Sequence, residues 1–149
     1  MDIVNLSVPG SLKYRDVVLR VVTSCCRLVR AMAIGKQAPS RDAHEFDHKV
    51  LTAVGEAFNN VAIHAYRGIS DGALGVKLEL SGEGITIHMT DTGRVFEPAL
   101  ETQIGPDALP ESHMGLFLMR SCVDKVTYRP GGPGGLPNQL TLTKRFDPS

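Results

Sequence analysis

Apolar and polar positions recur along this chain with two periods, and each change of period marks a new element. Residues 3–8 (IVNLSV) read as a short strand closed by the Pro9-Gly10 turn signal. Ser11 offers a cap to a helix running to about Ile34, along which Val17, Val18, Val21, Val22, Cys25, Leu28 and Val29 supply one apolar face. After a loop at 35–40, residues 42–66 predict a second helix, with Gly68 soon after to stop it. The period then drops to two. Val76, Leu78 and Leu80 alternate with Lys77 and Glu79, and Ile85, Ile87 and Met89 alternate with Thr86, His88 and Thr90. Ser81-Gly82-Glu83-Gly84 between these two strands is a hairpin signal. Residues 98–112 predict a loop long enough to act as a lid or mobile segment. Residues 114–122 form a short apolar helix, and residues 123–129 and 138–146 the last strands, with the Pro/Gly-rich stretch 130–137 between them. Helices layered on one face of a mixed sheet are the simplest α/β architecture for this order.

Composition narrows the class. A chain of 149 residues can bury one full core and is short for two, so residues 1–149 are expected to form a single domain. Sixteen basic residues balance sixteen acidic ones, so no basic excess supports direct nucleic-acid binding or a membrane-surface role. No apolar run is long enough to span a bilayer, and no basic segment leading into an apolar one opens the chain; a cytoplasmic location is expected. Cys25, Cys26 and Cys122 form no CxxC, and the adjacent pair falls in an apolar helical run, which predicts reduced packing residues.

Three polar features stand out from this pattern. Glu56, Asn60 and His64, in the segment EAFNNVAIHAY (56–66), recur every four residues and form one stripe on an otherwise apolar helix. The stripe is either the wet face of a buried helix or a site, because polar groups so close to apolar surface need partners. Asp91 continues the inward-facing odd register of 85–89 just as that strand ends, and Gly93 removes a side chain two residues later. Asp-Thr-Gly is ordinary turn chemistry, yet an inward carboxylate beside a glycine also suits a planar, donor-bearing ligand such as the amino group of adenine. Third, Glu111-Ser-His-Met-Gly-Leu-Phe-Leu-Met119 is a loop entering a helix at Gly115, where free N–H groups and the helix dipole favour phosphate. Neither a GxxxxGK[ST] loop nor a GxGxxG fingerprint is present.

In order and spacing, these features resemble the GHKL (histidine-kinase-like) ATPases, and more closely the anti-sigma factor serine/threonine kinases. The resemblance rests on N-L-S-V-P at 5–9, E-A-x-x-N-x-x-x-H-A-Y at 56–66, D-x-G-x-x-F-x-P at 91–98, M-G-L-x-L-x-R-S-x-x-D-x-V-x-Y at 114–128 and the closing L-T-L-T-K at 140–144, covering nearly the whole chain. It implies a two-layer α/β sandwich of the Bergerat type, with helices on one face of a mixed, mostly antiparallel sheet and ATP held between the layers. By the family's pattern Asn60 would ligate the Mg²⁺ that bridges the phosphates, and Glu56 would be the base toward an attacking hydroxyl. Asp91 would accept from adenine with Gly93 making room. His113, Met114, Gly115 and Leu116 would line the phosphates, while His64 and Tyr66 would support the helix end. The implied activity is phosphorylation of a STAS-domain anti-anti-sigma partner, alternating with sequestration of a sigma factor or other regulatory client.

The chain also departs from that pattern. His113 stands where the family's phosphate loop commonly has its first glycine; it would either crowd the phosphates or donate to the γ-phosphate. Between Arg94 and Arg120 the chain carries no Lys or Arg to act as a transition-state cation. Two other readings therefore stand beside the kinase: a nucleotide-binding interaction module with little or no catalysis, and a detached kinase domain acting on a histidine in trans. The apolar face of the first helix would serve either the core or a homodimer.

Overall fold

The computed structural model describes residues 1–33, 40–95 and 114–147, apart from the side chains of 40–43. Strand β1 (Asp2–Pro9) is followed by a 3-10 turn (Leu12–Tyr14), helix α1 (Arg15–Met32), helix α2 (Ser40–Asn59) and a π-helical segment (Asn60–Ala65). Strands β2 (Ala73–Ser81) and β3 (Gly84–Asp91), helix α3 (Met114–Cys122), and strands β4 (Lys125–Arg129) and β5 (Asn138–Arg145) complete it. The expected α/β sandwich is present. The sheet runs β1-β2-β3-β5-β4 and all four pairings are antiparallel, so no parallel pair occurs among the described residues.

The period-2 pattern decides which face is covered. Leu74, Val76, Leu78 and Leu80 of β2 and Ile85, Ile87 and Met89 of β3 are buried on the helix side. Across from them lie Val18, Val22, Cys25, Cys26 and Val29 of α1 and Phe46, Val50, Ala53, Val54, Ala57 and Phe58 of α2. The Ser81↔Gly84 pair closes the hairpin where the turn residues place it. The apolar face of α1 is thus spent on the core, while Val17 and Leu28 stay exposed.

Two helix boundaries differ from expectation. Ser11 caps the 3-10 turn, its Oγ accepting from Lys13 N at 3.4 Å, and α1 proper starts only at Arg15. The second helix is α-helical only to Asn59 and then widens by one residue per turn, so that Tyr66 N donates to Val61 O, five residues back, at 3.0 Å. The seating of Tyr66 gives this wider turn a physical cause. The buried Tyr66 ring lies between Gly10 and Gly72, where a Cβ on either glycine would overlap it, so the chain must deliver residue 66 to that slot.

Helices α1 and α2 are joined by a two-pronged ion pair in which Arg30 Nε and Nη2 donate to Asp47 Oδ1 and Oδ2 at 3.2 and 2.8 Å. Beside it Cys26 is fully buried; burial, and then the Asp47 charge, push its thiol up to about 12. All three cysteines are free, as the spacing predicts. No helix among the described residues is long and apolar enough to cross a membrane.

Candidate functional site

The site lies where the end of α2, the end of β3 and the start of α3 converge. Helix α3 packs on α2 and sets its first turn against the polar stripe. A Cβ placed on Gly115 would fall 2.9 Å from Glu56 Oε2 and 3.6 Å from Asn60 Oδ1. Any side chain at 115 would therefore enter the space that Glu56 and Asn60 face. The glycine keeps the first-turn N–H groups of α3, which have no partner inside the helix, close to both side chains.

Asn60 has an incomplete set of partners. Its Nδ2 is buried and has no hydrogen-bond partner among the described residues, an arrangement costing about 1–3 kcal/mol in a finished core. A ligand-binding amide tolerates that cost. A Mg²⁺ shared with phosphates needs only one or two protein oxygens and keeps several waters. Asn60 Oδ1, facing the gap at Gly115, is an oxygen of that kind, so the residues present fit such an ion.

At the other end, Asp91 is buried, as its inward register predicts. Its Oδ1 accepts from Gly93 N and from Asn138 Nδ2, both at 2.9 Å, while Oδ2 receives no hydrogen bond from a described residue. Burial raises its carboxyl above the ordinary aspartate value, and the hydrogen bonds from Asn138 and Gly93 pull the other way. The close approach expected at Gly93 comes from the protein itself: a Cβ there would overlap the Ala65 carbonyl, which also accepts from Arg94 N at 2.9 Å. Tyr66, next to Ala65, donates from its hydroxyl to Ala73 O at 2.6 Å and accepts from Thr92 N at 2.9 Å. Two consecutive residues at the end of the π-helical segment thus hold residues 92–94 in place.

Of the residues singled out from sequence, Glu56, Asn60 and Gly115 come together at one end, and Asp91 and Gly93 at the other. Met114 is exposed at the start of α3, and Leu116 points into the core, so only its backbone is available to a ligand. His64 is partly buried on the widened turn, where the four-residue spacing of the stripe no longer applies. His113 and the predicted loop 98–112 lie outside the described residues. Asn138, 3% exposed, was missed. Its signal was present, since it precedes Leu140 and Leu142 at period two and so faces inward with them.

Comparison with known proteins agrees with this arrangement. A model of the histidine kinase-like ATPase domain matches residues 15–144. A serine-protein kinase RsbW of Staphylococcus epidermidis is 31% identical over 141 residues, spanning 88% of this chain and 82% of the relative. That of Staphylococcus aureus strain Newman is 30% identical over the same shares. With a sandwich of the expected kind, a polar stripe facing a helix start, and matches over most of its length, this chain belongs to the histidine kinase-like ATPase family, in the group that includes these serine-protein kinases.

Proposed function

We propose that this chain is an ATP-dependent serine/threonine protein kinase that phosphorylates a STAS-domain anti-anti-sigma partner and, in its other state, sequesters a sigma factor or similar client. The observation that carries the reading is the space shared by Glu56, Asn60 and Gly115. Family membership and the two serine-protein kinase relatives support it.

Asp91 accepts from the adenine amino group, and the first-turn N–H groups at Gly115 and Leu116 meet the phosphates. Asn60 would hold a Mg²⁺, which when bound would neutralise phosphate charge. Glu56 accepts the proton of a serine or threonine hydroxyl as the new oxygen–phosphorus bond forms and the bond to the β-phosphate oxygen breaks, so that ADP leaves. Phosphoryl transfer depends on positioning and charge stabilisation, and a single base beside the γ-phosphate suffices.

The test is transfer from labelled ATP, with Mg²⁺, to a cognate STAS protein. An acid-stable, base-labile phosphoproduct supports serine or threonine transfer, whereas an acid-labile one shifts the reading to a histidine kinase domain acting in trans. ATP binding with no transfer to any cognate partner leaves the interaction module, the reading that a His113 crowding the phosphates would favour.

A further inference from the structure

Asn138 opens β5 directly across from Asp91 in the antiparallel register. Its amide makes three short hydrogen bonds to three residues in two segments, the end of β3 and the turn before β5. Nδ2 donates to Asp91 Oδ1 at 2.9 Å and to Gly93 O at 3.0 Å, while Oδ1 accepts from Gly131 N at 2.6 Å. These partners fix the amide's orientation, because turning it over would set its oxygen against a carboxylate and a carbonyl, and its NH₂ against an N–H. With Gly93 N also donating, Asp91 Oδ1 is engaged twice and Oδ2 is the oxygen left to a ligand.

We propose that Asn138 is the positioning residue that commits Asp91 to an acceptor role and thereby sets the preference for a 6-amino over a 6-oxo purine. The inference rests on the nucleotide reading of the site. Its chemistry is direct. An ionised carboxylate can only accept, so it matches the amino group of adenine and repels the carbonyl at the same position of guanine or hypoxanthine. A protonated carboxyl can donate, and would welcome the carbonyl. Burial drives Asp91 toward the protonated form, and the two donors on Oδ1 oppose it. No charged side chain among the described residues contributes. The neighbours acting on Asp91 are Asn138 from β5 and Gly93 beyond β3, with the Tyr66 hydroxyl one step away through Thr92. The donor from Asn138 is thus the main side-chain contribution holding the carboxylate in its accepting form.

The test measures equilibrium binding of Mg²⁺-ATP and Mg²⁺-GTP to the full chain between pH 5.5 and 8.5. The wild type should prefer ATP across the range. Asn138→Leu removes the donor at similar volume, and its ATP-over-GTP ratio should fall about tenfold or more, the loss expected for one charge-assisted hydrogen bond. Asn138→Asp keeps an acceptor for Gly131 N and sets a second carboxyl against Asp91; the pair shares a proton, so ATP binding should weaken as pH rises, a slope the wild type lacks. If Asn138→Leu does not fold, the pH profile of Asn138→Asp decides alone. A wild type that prefers ATP, with variants that keep both its ratio and its pH profile, overturns the assignment. A wild type that binds neither nucleotide removes the reading of the site itself, and the inference with it.

Discussion

Gly115 and Glu56 are in steric contact through a missing atom: the Cβ that any other residue would carry at 115 falls 2.9 Å from Glu56 Oε2. The atom in the way is the far end of a flexible side chain, so Glu56 can yield without disturbing the core. Gly115→Ala should therefore leave the melting temperature nearly unchanged, the helix-propensity gain of up to about 1 kcal/mol offsetting any residual crowding. Phosphoryl transfer should fall by about 100-fold, since an ångström of displacement at a reacting group costs that much. Calorimetry and single-turnover transfer on the same preparation check both halves. A fall in stability with transfer intact would mean that Gly115 serves packing alone.

Glu56 and Asn60 should separate cleanly under substitution. Glu56→Gln keeps the volume and removes the proposed base, so ATP binding should persist while transfer drops about 100- to 10,000-fold. Asn60→Ala removes the buried Nδ2 that has no described partner, so the nucleotide-free protein should be as stable as wild type or more so. Mg²⁺-ATP should raise the melting temperature of the wild type and leave that of this variant unchanged. Thermal shift with and without Mg²⁺-ATP reads both effects.

Sequence made the fold legible wherever one period held over a whole element. The β2–β3 hairpin, with its alternating Val76, Leu78, Leu80 and Ile85, Ile87, Met89, and α3 at residues 114–122 lie where the pattern puts them. The pattern failed where tertiary demands override local spacing. The π-helical widening after Asn59 is tied to the slot between Gly10 and Gly72 that receives the Tyr66 ring, and that slot is assembled from segments distant in sequence. At the site, Glu56, Asn60 and Asp91 were readable because each is a polar residue on an apolar face. Asn138 shares that property, but it sits at the first position of its strand, beside a Pro/Gly-rich turn where an asparagine looks like turn chemistry.

Tyr66 anchors the residues that follow Asp91, so its hydroxyl should matter to nucleotide binding as well as to the fold. Tyr66→Phe keeps the ring in its slot and deletes the bonds to Ala73 O and Thr92 N. The loss should be about 1–3 kcal/mol of stability, because the groups left behind are partly buried. ATP affinity should fall as residues 92–94 lose one of their anchors, the others being the Ala65 carbonyl to Arg94 N and Asn138 Nδ2 to Gly93 O. Denaturant unfolding and ATP titration check the pair. Unchanged affinity in a destabilised variant would confine Tyr66 to the fold.

Cys26 should be inert in the folded chain. Its thiol is held protonated, pushed up to about 12 by burial and by Asp47, and only the thiolate is nucleophilic. Iodoacetamide at pH 8 should leave Cys26 unmodified until the protein unfolds. Arg30→Ala removes the partner of Asp47 and should cost about 1–3 kcal/mol, given a pair that is only partly exposed. Alkylation of Cys26 should then begin at lower denaturant, as mapped by mass spectrometry of the modified peptide.

Asp91 carries a conflict between function and stability that pH exposes. Its carboxyl is raised by burial, so the folded state holds its proton more tightly than the unfolded chain does. The sign comes from linkage: a raised acid contributes stability that is fully present below the unfolded value near 4 and is lost as pH rises through the folded value. Once ionised, the buried carboxylate is a net cost to the fold. Asp91→Asn keeps an oxygen for Gly93 N and Asn138 Nδ2 and removes the charge. Its urea midpoint should equal or exceed wild type at pH 7, and the difference should shrink as pH falls toward 4. With Asp91 in its proposed role, ATP binding should be lost at every pH, because the atom replacing Oδ2 would set a donor against the adenine amino group. A variant less stable than wild type at pH 7 would mean that the two hydrogen bonds on Oδ1 outweigh burial, and that Asp91 is held for the fold rather than against it.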